Sequence, residues 1–186
     1  MYKIVALIGE AGCGKDTLMQ RVLAARPGRF NEIVSCTTRP IREGEVDGVN
    51  YFYFTVPDFQ EKILAGDMLE YTIFNNWYYG TSIDSLSAEK TNIGVFNPAG
   101  IYSMINRKDI DLTVFRITCD SKERLLRQLN RENHPDVDEI IRRYSTDKSD
   151  FSHINDIPYI EVENNDEEDL DLALYAILTS LEDIGA

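Results

Sequence analysis

Short apolar runs alternating with amphipathic stretches dominate this chain. Lys3–Ile8 is an apolar run after its first residue and ends at a glycine, the pattern of a strand buried on both faces of a parallel sheet. Thr17–Ala25 carries Leu18, Val22 and Leu23 at helical spacing, and Glu32–Cys36 reads as a second strand. Tyr51–Val56 alternates like a strand. Pro57–Ala65 follows as a short helix, with Phe59, Ile63 and Leu64 inward and Gly66 as its stop. Met68–Phe74 returns as a strand, and NNWYYGTS after it reads as a polar-aromatic loop. Ile83–Glu89 is a stub of helix, Asn92–Asn97 a short strand, and Pro98 opens a helix bearing Ile101, Tyr102 and Ile105. Leu112–Thr118 is a strand. Lys122–Arg131 is predicted to turn Leu125, Leu126 and Leu129 to one side and Arg124, Arg127 and Arg131 to the other. After a polar break, Val137–Tyr144 resumes a helix with Arg142 and Arg143. Strand Tyr159–Val162 and a helix near Glu168–Leu181 close the pattern, acidic residues at that helix start suiting its dipole. Strands alternating with helices predict an α/β fold with a mostly parallel core sheet.

Composition narrows the chemistry. A chain of 186 residues, 43% hydrophobic and 27% charged, is ordinary for one compact soluble domain. Its net charge of −13 argues against broad nucleic-acid or anionic-membrane binding, so positive charge for an anionic ligand must be local. Cys13, Cys36 and Cys119 are scattered and lack metal-ligand spacing, which suggests a reducing compartment and no disulfide framework. The N-terminal apolar run is too short to span a bilayer and shows no cleavage pattern, so a cytoplasmic chain is expected.

Two segments carry the candidate chemistry. GEAGCGKDT, Gly9–Thr17, lies between a strand and a helix, the context a phosphate-cradling loop needs. Gly9, Gly12 and Gly14 let backbone N–H groups turn inward, the helix N-terminus adds its dipole, and Lys15 adds a mobile charge. The usual hydroxyl after the lysine is Asp16 here, with Thr17 one position later. A carboxylate there calls for Mg²⁺ between it and the phosphates, with Asp16 or Thr17 near the metal. The second segment, SCTTRPIREGEVDGVNY (Ser35–Tyr51), places Arg39 and Arg42 three residues apart beside an Asp47-Gly48 turn. Guanidinium forks grip phosphate bidentately, and two anion sites in one chain suggest phosphoryl transfer between two bound phosphates.

SCTTRP-x-REGEVDGV-x-Y, then LEY and WYYGTS, resemble the guanylate kinase family in order and spacing, over nearly the whole chain. The resemblance implies a P-loop kinase fold: a core (residues 1–34, 82–125 and 145–186), an inserted small mixed β-lobe (35–81) for the acceptor nucleotide, and a helical lid (126–144). It implies γ-phosphoryl transfer from ATP to GMP or dGMP, with nucleotides as partners and a monomer or homodimer as the working form. The loop residues Gly9, Glu10, Ala11, Gly12, Cys13, Gly14, Lys15, Asp16 and Thr17 would hold ATP, with Asn164, or Asn165 one register on, near its adenine. Arg39, Arg42, Tyr51 and Tyr79 would hold the acceptor phosphate, and Ser35, Glu70 and Thr81 would face the base. Arg131 and Arg143 would close on the transferring group, with Arg127 and Arg142 as neighbouring candidates. The family's D-x-D-x-Q-G signature is VFNPAG here. Asn97 replaces the acid that helps read the base, keeping an amide oxygen to accept a hydrogen bond but no charge. Ribose bisphosphate phosphokinases look similar around Asp16 but lack the TTRP…GEVDG stretch and Glu70. A catalytically silent interaction module would have lost the loop glycines or lysine, which are intact.

Overall fold

The computed structural model describes residues 1–42, 44–131 and 133–183; Glu43, Glu132 and the last three residues of the expected core segment lie outside it. β1 (Tyr2–Ile8) leads through the glycine loop into α1 (Lys15–Ala25), then β2 (Phe30–Glu32), β3 (Cys36–Thr37) and β4 (Phe52–Tyr53). α2 (Val56–Ala65), β5 (Met68–Phe74), β6 (Trp77–Ser82), β7 (Thr91–Val95), α3 (Pro98–Met104) and β8 (Ile110–Thr118) follow. α4 (Ser121–Leu129), α5 (Val137–Asp150), β9 (Ile160–Glu163) and α6 (Glu167–Asp183) complete the chain.

Five strands form a wholly parallel sheet in the order β2-β7-β1-β8-β9. Period-two alternation sends side chains to both faces, and both faces are covered. Val5, Leu7, Phe115 and Ile117 pack with Leu18 and Val22 of α1 and Leu170, Ala173 and Ile177 of α6. Ile4, Ala6, Ile8 and Val114 pack with Ile101 and Met104 of α3 and with Ile154 and Ile157. A second sheet, β4-β3-β6-β5, is mixed: β3 runs parallel to β4, while the β3–β6 and β5–β6 pairs are antiparallel.

The sequence expectations differ from the structure at identifiable points. The strand expected over Glu32–Cys36 is two strands in two sheets. Phe30–Glu32 pairs with β7, and after Ile33 the chain crosses so that Cys36 can pair with Gly80. The loop expected at NNWYYGTS is a hairpin. Asn75 and Asn76 take positive φ (48° and 63°), a two-residue turn that asparagine tolerates, and Trp77–Ser82 pairs with β5. The strand expected over Tyr51–Val56 is cut to two residues because Thr55 caps α2, its Oγ1 accepting from Asp58 N at 3.3 Å. The helical stub at Ile83–Glu89 is a single 3₁₀ turn, Ile83–Ser85. α5 continues six residues past Tyr144, so the lid boundary drawn at 144 falls inside a helix.

α4 turns Arg124, and not its leucines, to the interior. Arg124 is 5% exposed, whereas Leu126 and Leu129 are 41% and 36% exposed. The surface that α4 meets is the backbone of the glycine loop and of residues 164–165, which offers carbonyls. Guanidinium donors satisfy those carbonyls and leucine cannot.

Candidate functional site

The glycine loop leaves the C-terminal end of the central strand β1, where parallel α/β sheets place their ligands. Its path requires glycine at two turns. Gly12 and Gly14 have φ of 84° and 91°, and a Cβ on Gly12 would come within 2.5 Å of Arg124 O. A Cβ on Gly14, the cap of α1, would collide with Asn164 Nδ2. Lys15 Nζ donates to Gly9 O at 2.8 Å and Glu10 O at 3.2 Å, and lies 3.8 Å from Cys13 Sγ. Cys13 is fully buried and burial pushes its thiol up, so it packs rather than reacts. Asp16 and Thr17 stand exposed in the first turn of α1, two oxygen donors beside the loop.

Arg127 closes the loop from α4, its NH1 donating to Gly12 O at 3.5 Å and Asn164 O at 3.0 Å and its NH2 to Asn165 O at 2.7 Å. Asn164, expected at an adenine, is 2% exposed and donates from Nδ2 to Cys13 O at 2.8 Å. It supports the loop, and its Oδ1 has no partner among the described residues.

A cavity of about 450 Å³ is lined by Asp16, Glu32, Ser35, Asn50, Tyr51 and Val95 among others, and the arginine cluster sits beside its Tyr51 wall. Arg39 is 5% exposed, and its fork closes on Glu45, NH2 donating to Oε1 at 2.7 Å and NH1 to Oε2 at 3.0 Å. Glu45 Oε2 also accepts from Arg42 N at 2.7 Å and from the Tyr53 hydroxyl at 2.8 Å. The Arg39 hydrogen bond and then the Arg42 amide hold the Glu45 carboxyl down at about 2. The Arg39 guanidinium lies 5.7 Å from the Tyr51 ring centre and 5.9 Å from that of Tyr53. Tyr79 meets Tyr51 edge-on at 6.2 Å. Burial pushes the Tyr51 phenol up, which keeps it a neutral donor. Arg42 is exposed at the rim. Glu45 and Tyr53 escaped the sequence reading: six residues separate an arginine and an acid by about 20 Å in a strand or about 9 Å in a helix, so only an irregular turn brings them together.

Glu70, Thr81 and Asn97 converge at the far side. β5 and β6 set Glu70 opposite Thr81, whose buried hydroxyl donates to Glu70 Oε1 at 2.8 Å. Burial pushes the Glu70 carboxyl up, and the Thr81 bond only partly offsets this. A Cβ on Gly100 would lie 3.3 Å from both Glu70 Oε2 and Asn97 Oδ1, which places α3 against this carboxylate. Asn97 departs from expectation: it caps α3, its Oδ1 accepting from Gly100 N at 2.8 Å. The helix takes one of the two acceptor positions of that oxygen, and the other remains beside Glu70.

The candidate closing arginines are spread along α4 and α5. Arg131 is exposed just beyond α4. Arg142 is doubly bonded to Glu139 at 2.6 and 2.8 Å and lies 4.4 Å over the Phe74 ring. Arg143 Nε donates to Glu139 Oε1 at 2.8 Å, with 47% of its side chain exposed. Two groups not foreseen as site residues stand behind the loop: Asp147, whose Oδ2 accepts from Ala11 N at 2.6 Å, and the buried Arg124.

Comparison with known proteins agrees with this geometry. The family model described as guanylate kinase matches residues 1–181. A guanylate kinase of Sulfurimonas denitrificans is 34% identical over 167 residues, covering 87% of this chain and 80% of that one. A guanylate kinase of Streptococcus pyogenes is 30% identical over 171 residues, covering 82% and 78%. Among solved structures, a guanylate kinase from Anaplasma phagocytophilum superposes with TM-score 0.68 at 19% identity, over 96% of this chain and 86% of that one. A sugar kinase from Janibacter superposes with TM-score 0.52 at 13% identity, over 98% and 95%, and shares the fold. Matched over nearly its whole length, with Asp16 of α1 and Tyr51 of the arginine–tyrosine cluster lining one cavity, the chain belongs to the guanylate kinase family.

Proposed function

We propose that this protein transfers the γ-phosphoryl group of ATP to GMP or dGMP, giving ADP and the nucleoside diphosphate. The observation that carries the reading is that Asp16, beside the phosphate loop, and Ser35 and Tyr51, beside the arginine cluster, line one cavity. Residues 35–81 then serve as the acceptor lobe and 126–144 as the core of the lid, with the rest as frame.

Loop N–H groups other than that of Ala11, which Asp147 holds, bind the donor phosphates together with Lys15. Arg39 turns two donors to Glu45 and keeps others for a phosphate oxygen; Arg42, Tyr51 and Tyr79 complete the grip. Glu70, when ionised, accepts from the N1–H and 2-amino group of guanine. Adenine offers an unprotonated N1 there, and leaving a buried acceptor unpaired rejects a ligand by roughly 10⁴-fold. Arg131 and Arg143 stabilise charge on the transferring group, and Asn164 acts by seating the loop. Catalysis is positioning plus electrostatics, in line and without a covalent intermediate. Closure of the lid over the cavity keeps water from the γ-phosphoryl group.

Asp16 and Thr17 fit a hard cation: both are oxygen donors at the loop, and the described residues contain no cluster of three acidic, histidine or cysteine ligands that would hold it alone. That is the habit of Mg²⁺, which shares its shell with substrate phosphates and water and neutralises their charge when bound. The three free cysteines suit a reducing, cytoplasmic setting, and a monomer or homodimer satisfies the reading.

A coupled ADP-release assay with GMP, dGMP, AMP, dTMP and ribose 1,5-bisphosphate tests this. Turnover is expected with the two guanine nucleotides and about 10⁴-fold less with AMP. Turnover with the sugar bisphosphate alone, or with none of the five, would end it.

A further inference from the structure

The first half of the phosphate loop is held from behind by a charged network on α4 and α5. Arg124 Nε donates to Ala11 O at 3.0 Å, its NH1 lies 3.3 Å from Glu10 Oε1, and its NH2 donates to Asp147 Oδ2 at 3.5 Å. Its guanidinium rests 5.2 Å from the centre of the Tyr144 ring. The same Asp147 oxygen accepts from Ala11 N at 2.6 Å. Both backbone polar groups of one loop residue, in the two peptide units that flank its Cα, are therefore held from outside, the carbonyl by α4 and the N–H by α5. Ala11 has only a methyl group with which to anchor itself, so nothing in its own side chain sets this position.

α5 needs such a tie. Ile140 is its one buried residue, so apolar packing barely fixes its position. Asp147 lies four residues after Arg143, which puts the two on one helix face a single turn apart. A helix tied to the loop at Asp147 therefore presents Arg143 one turn away, on the side facing the loop.

We infer that Arg124 and Asp147 are positioning residues for phosphoryl transfer: by clamping Ala11 they set where α5 presents Arg143 to the donor phosphates. This rests on the reading of Arg143 as a charge-stabilising group. Asp147 acts through Arg143 and stays on Ala11 throughout the reaction, as a fixed peg and not as an internal anion that ATP displaces.

The test compares Arg143→Gln, Asp147→Ala, Asp147→Asn and the double variant Asp147→Ala/Arg143→Gln in the full chain, with steady-state kinetics in ATP and GMP, ATP affinity and thermal melting. Arg143→Gln should lower kcat about 100-fold. Asp147→Ala should lower kcat about 10- to 100-fold with the KM for GMP within about threefold. The double variant should be no slower than Arg143→Gln, because the second change removes something already lost. Asp147→Asn keeps an oxygen for the Ala11 N–H and should fall in between, and it serves if the alanine variant does not fold. Factors that multiply in the double variant would overturn the inference, as would an Asp147→Ala that tightens ATP without slowing turnover. A silent Arg143→Gln would instead remove the role given to Arg143, and the positioning claim with it.

Discussion

The arginine cluster and the phosphate loop each hold an anion in an acidic protein, by opposite means. On the acceptor side the positive charge is a whole guanidinium, 5% exposed. A buried cation needs a partner, and Glu45 supplies it with two short hydrogen bonds. On the donor side the charge comes mainly from backbone N–H dipoles and a helix terminus, which need no counter-ion. Hydrogen bonds from outside the loop fix that side instead: Arg127, Asn164, Arg124 and Asp147 all grip loop backbone. The acceptor grip should therefore be sensitive to charge balance, and the donor grip to geometry.

The largest effect that separates the two halves is expected from Lys15→Ala. It removes the loop's one mobile cation and should lower kcat about 10³-fold, with thermal melting little changed. Near-normal turnover would erase the donor half of the contrast. Glu45→Gln should act on the other half, raising the KM for GMP about tenfold while the KM for ATP stays within about twofold. The same variant sharpens the contrast in acid. The folded Glu45 carboxyl sits at about 2, below its ordinary 4.5. Its contribution to stability is then complete above pH 4.5 and disappears as the pH falls from there toward 2. Melting temperatures at pH 5 and pH 3 should therefore fall further for the wild type than for Glu45→Gln. Equal falls would show that the pair contributes nothing. The smallest effect concerns Glu70, whose carboxyl is raised by burial. Only its ionised form accepts from guanine, so the KM for GMP should rise about two- to fivefold as the pH drops through the raised value. Glu70→Gln should lack that limb. The second ionisation of the acceptor phosphate, near about 6, is common to both proteins, so the difference between profiles isolates Glu70.

Local signals were read well, and for a local reason. β5 spans the predicted Met68–Phe74, and α3 starts at Pro98, because strand alternation and a proline in the first helical turn act within a few residues. Arg39, Tyr51 and Tyr79, which the family resemblance groups, lie together. Where the reading failed, a distant partner decided. Periodicity separates the leucines of α4 from its arginines, but nothing near α4 in sequence shows that carbonyls more than a hundred residues away decide which side faces inward. Asn164 was placed at a ligand and lies under the loop, because Gly14 leaves room there for an amide.

By itself the sequence determined the alternation of strands and helices, the glycine loop and its lysine, and the paired arginines, since periodicity and φ preferences are written into neighbouring residues. Only the tertiary structure decided that Glu45 closes on Arg39, that the outer face of α4 is its apolar one, and that Asp147 meets Ala11 across 136 residues of chain. Such pairings depend on which charges and peptide groups approach through space once water is excluded, and no spacing along the chain encodes that distance.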